Sequence, residues 1–147
     1  MTSIQKSIRV DRPVDVAFKV FTEEIGAWWP LKEGFSFIGA DEVEDCIIEG
    51  HVGGRVFERG SGGKEFVIGT VTAWDPPSRV SFTWPHSDSD VTTEVDVRFS
   101  ADGDRTLVEL EHGGWERLGV AGAKERGDYD GGWEFVLSKF VERADQA

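Results

Sequence analysis

A change in the spacing of apolar residues in the last third of the chain most constrains its fold. Residues 91–99 and 106–112 alternate apolar and polar side chains, a period typical of β-strands that bury one face. After a glycine-rich stretch the period becomes helical, with an apolar stripe formed by Trp133, Val136, Leu137 and Phe140. A curved antiparallel sheet closed by one long terminal helix is the simplest arrangement that buries this stripe, and such an arrangement tends to enclose a pocket.

The pattern predicts seven strands in an α+β fold. The first covers residues 4–10, and the other six cover residues 42–49, 55–59, 65–74, 79–84, 91–99 and 105–112. Short clusters of Gly, Pro, Asp and Ser separate them, and connections this short join antiparallel neighbours. We therefore expect one meandering sheet whose apolar face meets the terminal helix. His112 then points inward at a strand end, where a cavity mouth is expected.

A short helix is predicted after the first strand. Asp11 is placed to cap it, Pro13 suits its first turn, and Gly26 marks its end. Its buried stripe consists of Val14, Ala17, Phe18, Phe21 and Ile25. Residues 31–40 are expected to form an apolar loop. Residues 113–131 are expected to form a linker that contains a short helix at about 115–123.

The size and composition indicate one domain over residues 1–147 with a substantial core. The aromatic residues are unusual in kind, because there are six Trp and ten Phe but only one Tyr. Tryptophan combines a large apolar area with one N–H donor. We therefore expect several of these rings to line a semi-polar cavity or its mouth.

The charge balance excludes one class of partner. Sixteen basic residues stand against 28 acidic residues, which gives a net charge of −12 and repulsion from nucleic acid and from anionic membrane surfaces. No apolar run resembles a signal peptide or approaches membrane-spanning length. We expect a cytoplasmic protein that binds neither nucleic acid nor membrane.

Neither a metal nor a cofactor is expected. The single cysteine, Cys46, allows no internal disulfide and no cysteine-rich metal site, and it reads as a small buried apolar residue. His51 and His86 fall in turns and are expected to be solvated, so the three histidines do not suggest zinc. No phosphate-binding or dinucleotide-binding glycine motif occurs in a fitting context.

Seven pieces of sequence, in order, resemble a known family. They are Arg12-Pro13, Trp28-Trp29 and residues 53–58 (GGRVFE), 69–84 (GTVTAWDPPSRVSFTW), 92–95 (TTEV), 111–114 (EHGG) and 132–137 (GWEFVL). Together they resemble the homologues of the activator of heat-shock-protein-90 ATPase, within the START-like or polyketide-cyclase-like superfamily. The resemblance covers essentially the whole chain.

The resemblance implies the helix-grip fold, in which a curved antiparallel sheet wraps around a long C-terminal helix with a cavity between them. Relatives on this fold bind lipids, hormones or polyketides, and some catalyse cyclisation or hydrolysis. The eukaryotic co-chaperones of the family carry an additional N-terminal domain that has no counterpart in these 147 residues. We therefore do not expect chaperone activation to transfer directly.

The candidate site residues are those expected to face the pocket. Glu58 and His112 are the candidates for an acid, a base or a group that orients a ligand, although each has a purely structural alternative: a solvent-facing Glu58 beside Arg55 or Arg59, and a satisfied core His112. The other candidates for ligand contact are Trp28, Trp29, Phe35, Phe37, Phe66, Phe82, Trp84, Val95, Val97, Leu110, Tyr129, Trp133, Val136 and Leu137.

Three functions are open at this point. The first is binding of a small hydrophobic or aromatic molecule between the sheet and the terminal helix. The second is a cyclase or hydrolase that acts on such a molecule through His112 or Glu58. The third is a protein-interaction module, with a chaperone as one possible partner, which would have a fully packed interior. The chain is expected to be a monomer or a homodimer.

Overall fold

Seven antiparallel strands form one curved sheet in the computed structural model, which describes residues 2–86 and 90–147. The strands are β1 (Ile4–Val10), β2 (Val43–Ile48), β3 (Arg55–Gly60), β4 (Glu65–Asp75), β5 (Arg79–Pro85), β6 (Thr92–Asp102) and β7 (Arg105–Gly113). Their spatial order is β1-β7-β6-β5-β4-β3-β2. The predicted seven-stranded antiparallel sheet is confirmed. Strands β2 to β7 form the expected meander, and β1 joins its end by pairing with β7.

Helices cover the inner face of the sheet. They are α1 (Val14–Glu23), α2 (Ile25–Trp28) and α3 (Gly122–Asp145), with 3-10 turns at Leu31–Glu33, Ser61–Gly63 and Trp115–Ala121. The fold is therefore α+β with a long terminal helix, as predicted. Within the described ranges, none of the helices has both the length and the apolar character needed to cross a bilayer.

The terminal helix begins much earlier than its sequence indicates. The short helix predicted at about 115–123 corresponds to the 3-10 turn Trp115–Ala121, but the rest of the predicted linker up to residue 131 is wrong. The 3-10 turn leads directly into α3 at Gly122, and the helix runs through three further glycines. Each glycine costs about 1 kcal/mol in a helix interior relative to alanine. Tertiary contacts offset this cost: Arg126 donates to the backbone oxygens of Thr2 and Ser3, and Lys6 of β1 pairs with Asp130.

Two details of the first helix also differ from the prediction. Asp11 does not cap it, because the residue before α1 is Pro13 and the Asp11 carboxylate pairs with Arg105 at 2.7 Å. Gly26 does not end it either, because α1 stops at Glu23 and Gly26 lies inside α2. A Cβ on Gly26 would lie 1.7 Å from Asp45 Oδ1, so this glycine permits the close approach of α2 to β2.

The core lies between the sheet and helices α1 and α3. The predicted helical stripe of Trp133, Val136, Leu137 and Phe140 is entirely buried. Phe140 meets the edge of Phe21 from α1, with ring centroids 5.2 Å apart. Inward-facing residues of β5, β6 and β7 complete the core beneath α3, namely Val80, Phe82, Val95, Val97, Phe99, Val108 and Leu110.

Strand register brings the polar residues of the inner face together at one end of the sheet. Trp84 on β5 pairs with Thr93 on β6, and Val95 pairs with His112 on β7. Because alternate residues share a face, the side chains of Trp84, Thr93 and His112 all point toward the first half of α3. This end of the sheet, with the residues of α3 above it, is where the candidate site lies.

Candidate functional site

A cavity of about 280 Å³ opens between the loop that follows α2, strand β5 and helix α3. Six aromatic rings form most of its wall, contributed by Trp29, Phe35, Phe37, Trp84, Tyr129 and Trp133. The rest of the wall consists of Gly34, Ser36, Asp128, Gly132 and Val136. The wall is therefore mainly apolar with a few polar groups, which is the usual composition of a small-molecule site.

The loop side of the cavity is tied down by Glu58. This carboxylate is only 1% exposed and accepts hydrogen bonds from Ser36 Oγ at 2.7 Å and from the backbone N–H groups of Phe37 at 3.0 Å and Ile38 at 3.1 Å. The solvent-facing alternative for Glu58 is thus wrong. The carboxylate holds loop 36–38 in place, and Glu58 does not line the cavity.

The two tryptophans at 28 and 29 have different roles. Trp28 is buried, donates its indole N–H to Val20 O at 2.9 Å and packs against Phe21 and Phe140 as core. Trp29 lines the cavity and donates to Phe35 O at 2.9 Å. The indole of Trp29 therefore fixes the near end of the same loop that Glu58 fixes at its far end.

Tyr129 supplies the polar group among the aromatic rings of the wall. Its hydroxyl oxygen accepts a hydrogen bond from Trp84 Nε1 at 2.9 Å, which leaves the hydroxyl proton available to donate. Burial, together with the negative charge of Glu125, raises the pKa of Tyr129 above its usual value of 10.0, against a smaller lowering by the bond from Trp84. The side chain is therefore a neutral donor at physiological pH.

His112 lies behind the cavity wall. It is 0% exposed, its Nδ1 accepts from Trp133 Nε1 at 3.0 Å, and its Nε2 lies 2.7 Å from Thr93 Oγ1. Burial, with a smaller contribution from neighbouring His86, lowers the pKa of His112 to about 3. The ring is neutral at physiological pH and does not line the cavity, so it is not placed to exchange a proton with a bound molecule.

The expectation that His86 is solvated is wrong. Its ring is 5% exposed and makes hydrogen bonds to Thr93 Oγ1 at 2.7 Å and to Glu125 Oε2 at 2.5 Å. It packs against Trp115 and Tyr129, with centroids 5.4 and 5.6 Å away. The sequence around His86 indicated an exposed turn. The residues that cover its ring lie on α3 and on the 3-10 turn before it, so the local sequence does not show that the ring is buried.

The sixteen predicted contact residues fall into three groups. Seven line the cavity, namely Trp29, Phe35, Phe37, Trp84, Tyr129, Trp133 and Val136. Seven are packed in the core or behind the wall, namely Trp28, Phe82, Val95, Val97, Leu110, His112 and Leu137. The remaining two are Glu58, which holds the loop, and Phe66, whose ring stacks on the outer side of Phe37 with centroids 4.9 Å apart. A role in ligand binding stays a prediction for the seven wall residues.

Four wall residues were missed by the prediction. Gly34, Ser36 and Gly132 carry small side chains or none, and Asp128 stands at the rim with its partner Lys124 3.3 Å away. A small residue has no feature in the sequence that marks it as part of a cavity wall. Of the four, Asp128 and Gly132 share a helical spacing with Tyr129, Trp133 and Val136, which would have indicated them had α3 been extended to Gly122.

Cys46 is buried, as expected. Burial first, and then the charges of Glu58 and Asp45, raise the pKa of its thiol to about 12. A thiol this hard to ionise is an inert core residue. Across residues 2–86 and 90–147, no group of three or more His, Cys, Asp or Glu side chains is arranged to hold a metal ion.

Comparison with known proteins identifies the family. Residues 11–145 match the family described as activator of Hsp90 ATPase homolog 1-like protein. The chain belongs to this family. Its solved neighbours are polyketide-cyclase-like proteins, so both the predicted family and the predicted helix-grip superfamily are confirmed. No curated protein sequence matches the chain.

Three solved structures illustrate the similarity. CalC from Micromonospora echinospora, a self-sacrificing resistance protein, is 28% identical with a TM-score of 0.71, over 99% of this chain and 95% of CalC. Txn09, an anthrahydroquino-γ-pyrone synthase, is 28% identical with a TM-score of 0.62, over 97% of this chain and 96% of Txn09. The Aha1 dimer from Colwellia psychrerythraea is 17% identical with a TM-score of 0.70, over 99% of this chain and 97% of that one, and shows a shared fold.

Proposed function

We propose that the protein binds a small, uncharged, planar aromatic molecule in the cavity between loop 34–37 and helix α3. The observation that carries this proposal is the wall itself, in which six of the eleven residues are aromatic. Aromatic faces and edges give a planar ring system favourable stacking and edge contacts in addition to the burial of apolar area. The volume of about 280 Å³ lies near the lower end of the range for small-molecule sites, which favours a compact ligand.

Preorganisation of the loop favours binding. Glu58 fixes residues 36–38, and Trp29 holds the backbone oxygen of Phe35. A wall that is already ordered loses little conformational freedom when a ligand enters, so more of the contact energy remains as affinity. The Tyr129 hydroxyl adds one directional group, which favours a ligand that carries a carbonyl or quinone oxygen as acceptor.

The charge of the protein disfavours an anionic ligand. The net charge is −12, and the acidic side chain of Asp128 stands at the rim of the cavity. A carboxylate or sulfonate ligand would meet an unfavourable potential on approach. The relative Txn09 is an anthrahydroquino-γ-pyrone synthase, and its name describes a fused aromatic system of the kind this wall suits.

Thermal denaturation with neutral aromatic ligands and an anionic aliphatic control tests the proposal. Anthraquinone, N-phenyl-1-naphthylamine and a fatty-acid control would be compared for the rise in Tm that selective binding to the folded state produces. Ring compounds are expected to raise Tm and to quench tryptophan fluorescence, because Trp29, Trp84 and Trp133 line the site. A panel in which no aromatic compound shifts Tm contradicts the proposal.

A second candidate function is catalysis on such a ligand. It is favoured by the position of the Tyr129 hydroxyl in the wall and by the likeness to a synthase. Neither His112 nor Glu58 lines the cavity, so Tyr129 replaces them as the group able to donate a proton or polarise a carbonyl. Replacement of Tyr129→Phe is then expected to abolish turnover while leaving binding nearly intact. Wild-type protein that consumes no candidate substrate rules this function out.

The third function, a protein-interaction module, receives less support. It predicts a fully packed interior, and the aromatic-walled cavity counts against it. The related Colwellia protein is a dimer, which is consistent with the monomer or homodimer expected for this chain. A cytoplasmic location remains part of the proposal, and sedimentation of the purified protein measures its oligomeric state.

A further inference from the structure

The polar side chains behind the cavity wall form one continuous hydrogen-bonded chain. It runs from Trp133 in the wall through His112, Thr93 and His86 to Glu125, and we call these five residues the relay. The distances between successive polar atoms are 3.0, 2.7, 2.7 and 2.5 Å. Four of the five side chains are buried, and only Glu125, with 31% of its side chain exposed, reaches solvent.

The direction of the first two bonds follows from the chemistry of tryptophan. An indole N–H can only donate, so His112 Nδ1 must accept and carries no proton. A neutral imidazole with a bare Nδ1 carries its proton on Nε2. His112 therefore donates to Thr93 Oγ1.

The remaining bonds are directed by the other end of the relay. The Glu125 carboxylate only accepts, so His86 Nδ1 carries a proton and donates to it. Thr93 Oγ1 already accepts from His112, so its own single hydroxyl proton is the one that it donates to His86 Nε2. Each of the four bonds then has one donor and one acceptor, and all four point from the cavity toward the surface.

The relay ends on a side chain that forms the cavity wall. The Trp133 ring meets the edge of Trp29 at 5.7 Å and lies 6.3 Å from Trp84, both of which also line the cavity. Rotation of the indole would break its bond to His112 and leave a buried N–H and a buried ring nitrogen without partners. The relay also flanks Tyr129, whose ring lies 5.6 Å from His86 and 5.5 Å from His112.

We propose that His112, Thr93, His86 and Glu125 are positioning residues, which orient the Trp133 indole through hydrogen bonds of one fixed direction and thereby set the shape of the ligand cavity. Thr93 is the central element, because its one hydroxyl both accepts from His112 and donates to His86. The part of this proposal that concerns ligand affinity rests on the proposed function. The direction of the bonds and the orientation of Trp133 do not.

Nitrogen NMR of the full-length protein labelled in its histidines tests the direction of the relay without any substitution. His112 is expected to carry its proton on Nε2 and to have a bare Nδ1, and His86 is expected to carry a proton on Nδ1. A proton on His112 Nδ1 overturns the proposal.

Substitution of Thr93→Val tests positioning, because valine keeps the shape of the side chain and removes the hydroxyl. The Trp133 indole N–H resonance, assigned with Trp133→Phe, is expected to shift and to exchange faster with solvent. Thr93→Ser restores the hydroxyl and is expected to restore the resonance. Thr92→Val, on the same strand with an exposed side chain, is the matched control and is expected to change nothing. An unchanged Trp133 resonance in Thr93→Val overturns the proposal.

Titration with N-phenyl-1-naphthylamine measures the effect on the cavity. Thr93→Val is expected to weaken binding by roughly tenfold, the scale of one disrupted buried hydrogen bond, and Thr93→Ser to restore it. Equal affinity in Thr93→Val and wild type would overturn the role in shaping the cavity. Absence of binding to wild type, combined with the expected proton positions and Trp133 response, would refute the proposed function and leave the relay supported.

Discussion

A comparison of Gly132→Leu with Gly131→Leu distinguishes an effect on the cavity from an effect on helix α3. Both glycines lie inside α3, but only Gly132 lines the cavity. A Cβ on Gly131 would meet no atom within 4 Å, whereas a Cβ on Gly132 would lie 3.6 Å from Phe35 Cε1, an ordinary contact distance. Neither substitution therefore creates a clash at its first carbon.

The magnitudes follow from helix propensity and from burial. Each substitution removes a helical glycine, which is expected to stabilise the fold by about 1 kcal/mol, or roughly 2–4 °C in Tm for a chain of this size. The leucine at 132 also buries its side chain in the cavity, which contributes up to about 1.5–3 kcal/mol more. Gly132→Leu should therefore be the more stable variant, and it should have lost the space for a ligand.

Calorimetry and a binding titration check both parts. Gly131→Leu is expected to bind N-phenyl-1-naphthylamine as wild type does, while Gly132→Leu is expected to bind at least about tenfold more weakly, since its side chain occupies the same volume. Equal affinity for the two variants would refute the assignment of the cavity as the binding site. A lower Tm for Gly132→Leu than for wild type would show that the space next to Phe35 is already filled.

Three further predictions concern the buried polar groups. Glu58→Gln replaces one accepting oxygen by a donor that faces the N–H groups of loop 36–38, so urea denaturation should show that the free energy of unfolding falls by about 1–3 kcal/mol. The exposed control Glu65→Gln should lower it by at most about 1 kcal/mol. Equal losses in the two variants would contradict the role of Glu58. The Cys46 thiol, with a pKa of about 12, should resist Ellman's reagent at pH 8 in the folded protein and react at once in denaturant, and rapid native reaction would show that it is accessible. The pKa of His112 falls from 6.5 to about 3 on folding, so the unfolded chain binds the proton first as pH falls. The contribution of His112 to stability is therefore complete above pH 6.5 and is lost between pH 6.5 and 3, by up to roughly 1.4 kcal/mol per pH unit. The ring resonances of His112 should therefore stay constant between pH 8 and 5, and a titration of that ring in this interval would contradict its buried neutral state.

The strands were predictable because alternation of side chains is a local property. Residues 4–10 were predicted and observed as a strand, and the other boundaries differ by three residues at most, as where β6 ends at Asp102 and not at 99. The start of α3 was not predictable in this way. Its first half contains Gly127 and Gly131, which lower helix propensity, and it is held by contacts to β1 and to Ser3 before it that no local pattern reveals.

The sequence predicted which kinds of residue form the candidate site but not how they are arranged. The excess of aromatic residues indicated a cavity, and seven of the predicted rings and side chains do line one. Phe82 and Trp84 lie on the same strand face, yet Phe82 is packed in the core and Trp84 faces the cavity. A ring that packs against a neighbouring side chain and a ring that lines a cavity follow the same alternation along the strand, so the sequence carries no signal that distinguishes the two.

The sequence by itself determined the sheet, the face that each strand buries and the apolar stripe of the terminal helix, because these depend on the periods of strand and helix geometry. Only the tertiary structure decided which polar groups meet. Glu58 finds its donors in a loop some twenty residues earlier, and His86 finds Glu125 on a helix 39 residues later. Such pairings depend on how distant segments close on one another, since a buried polar group is stable only beside partners that the whole fold supplies.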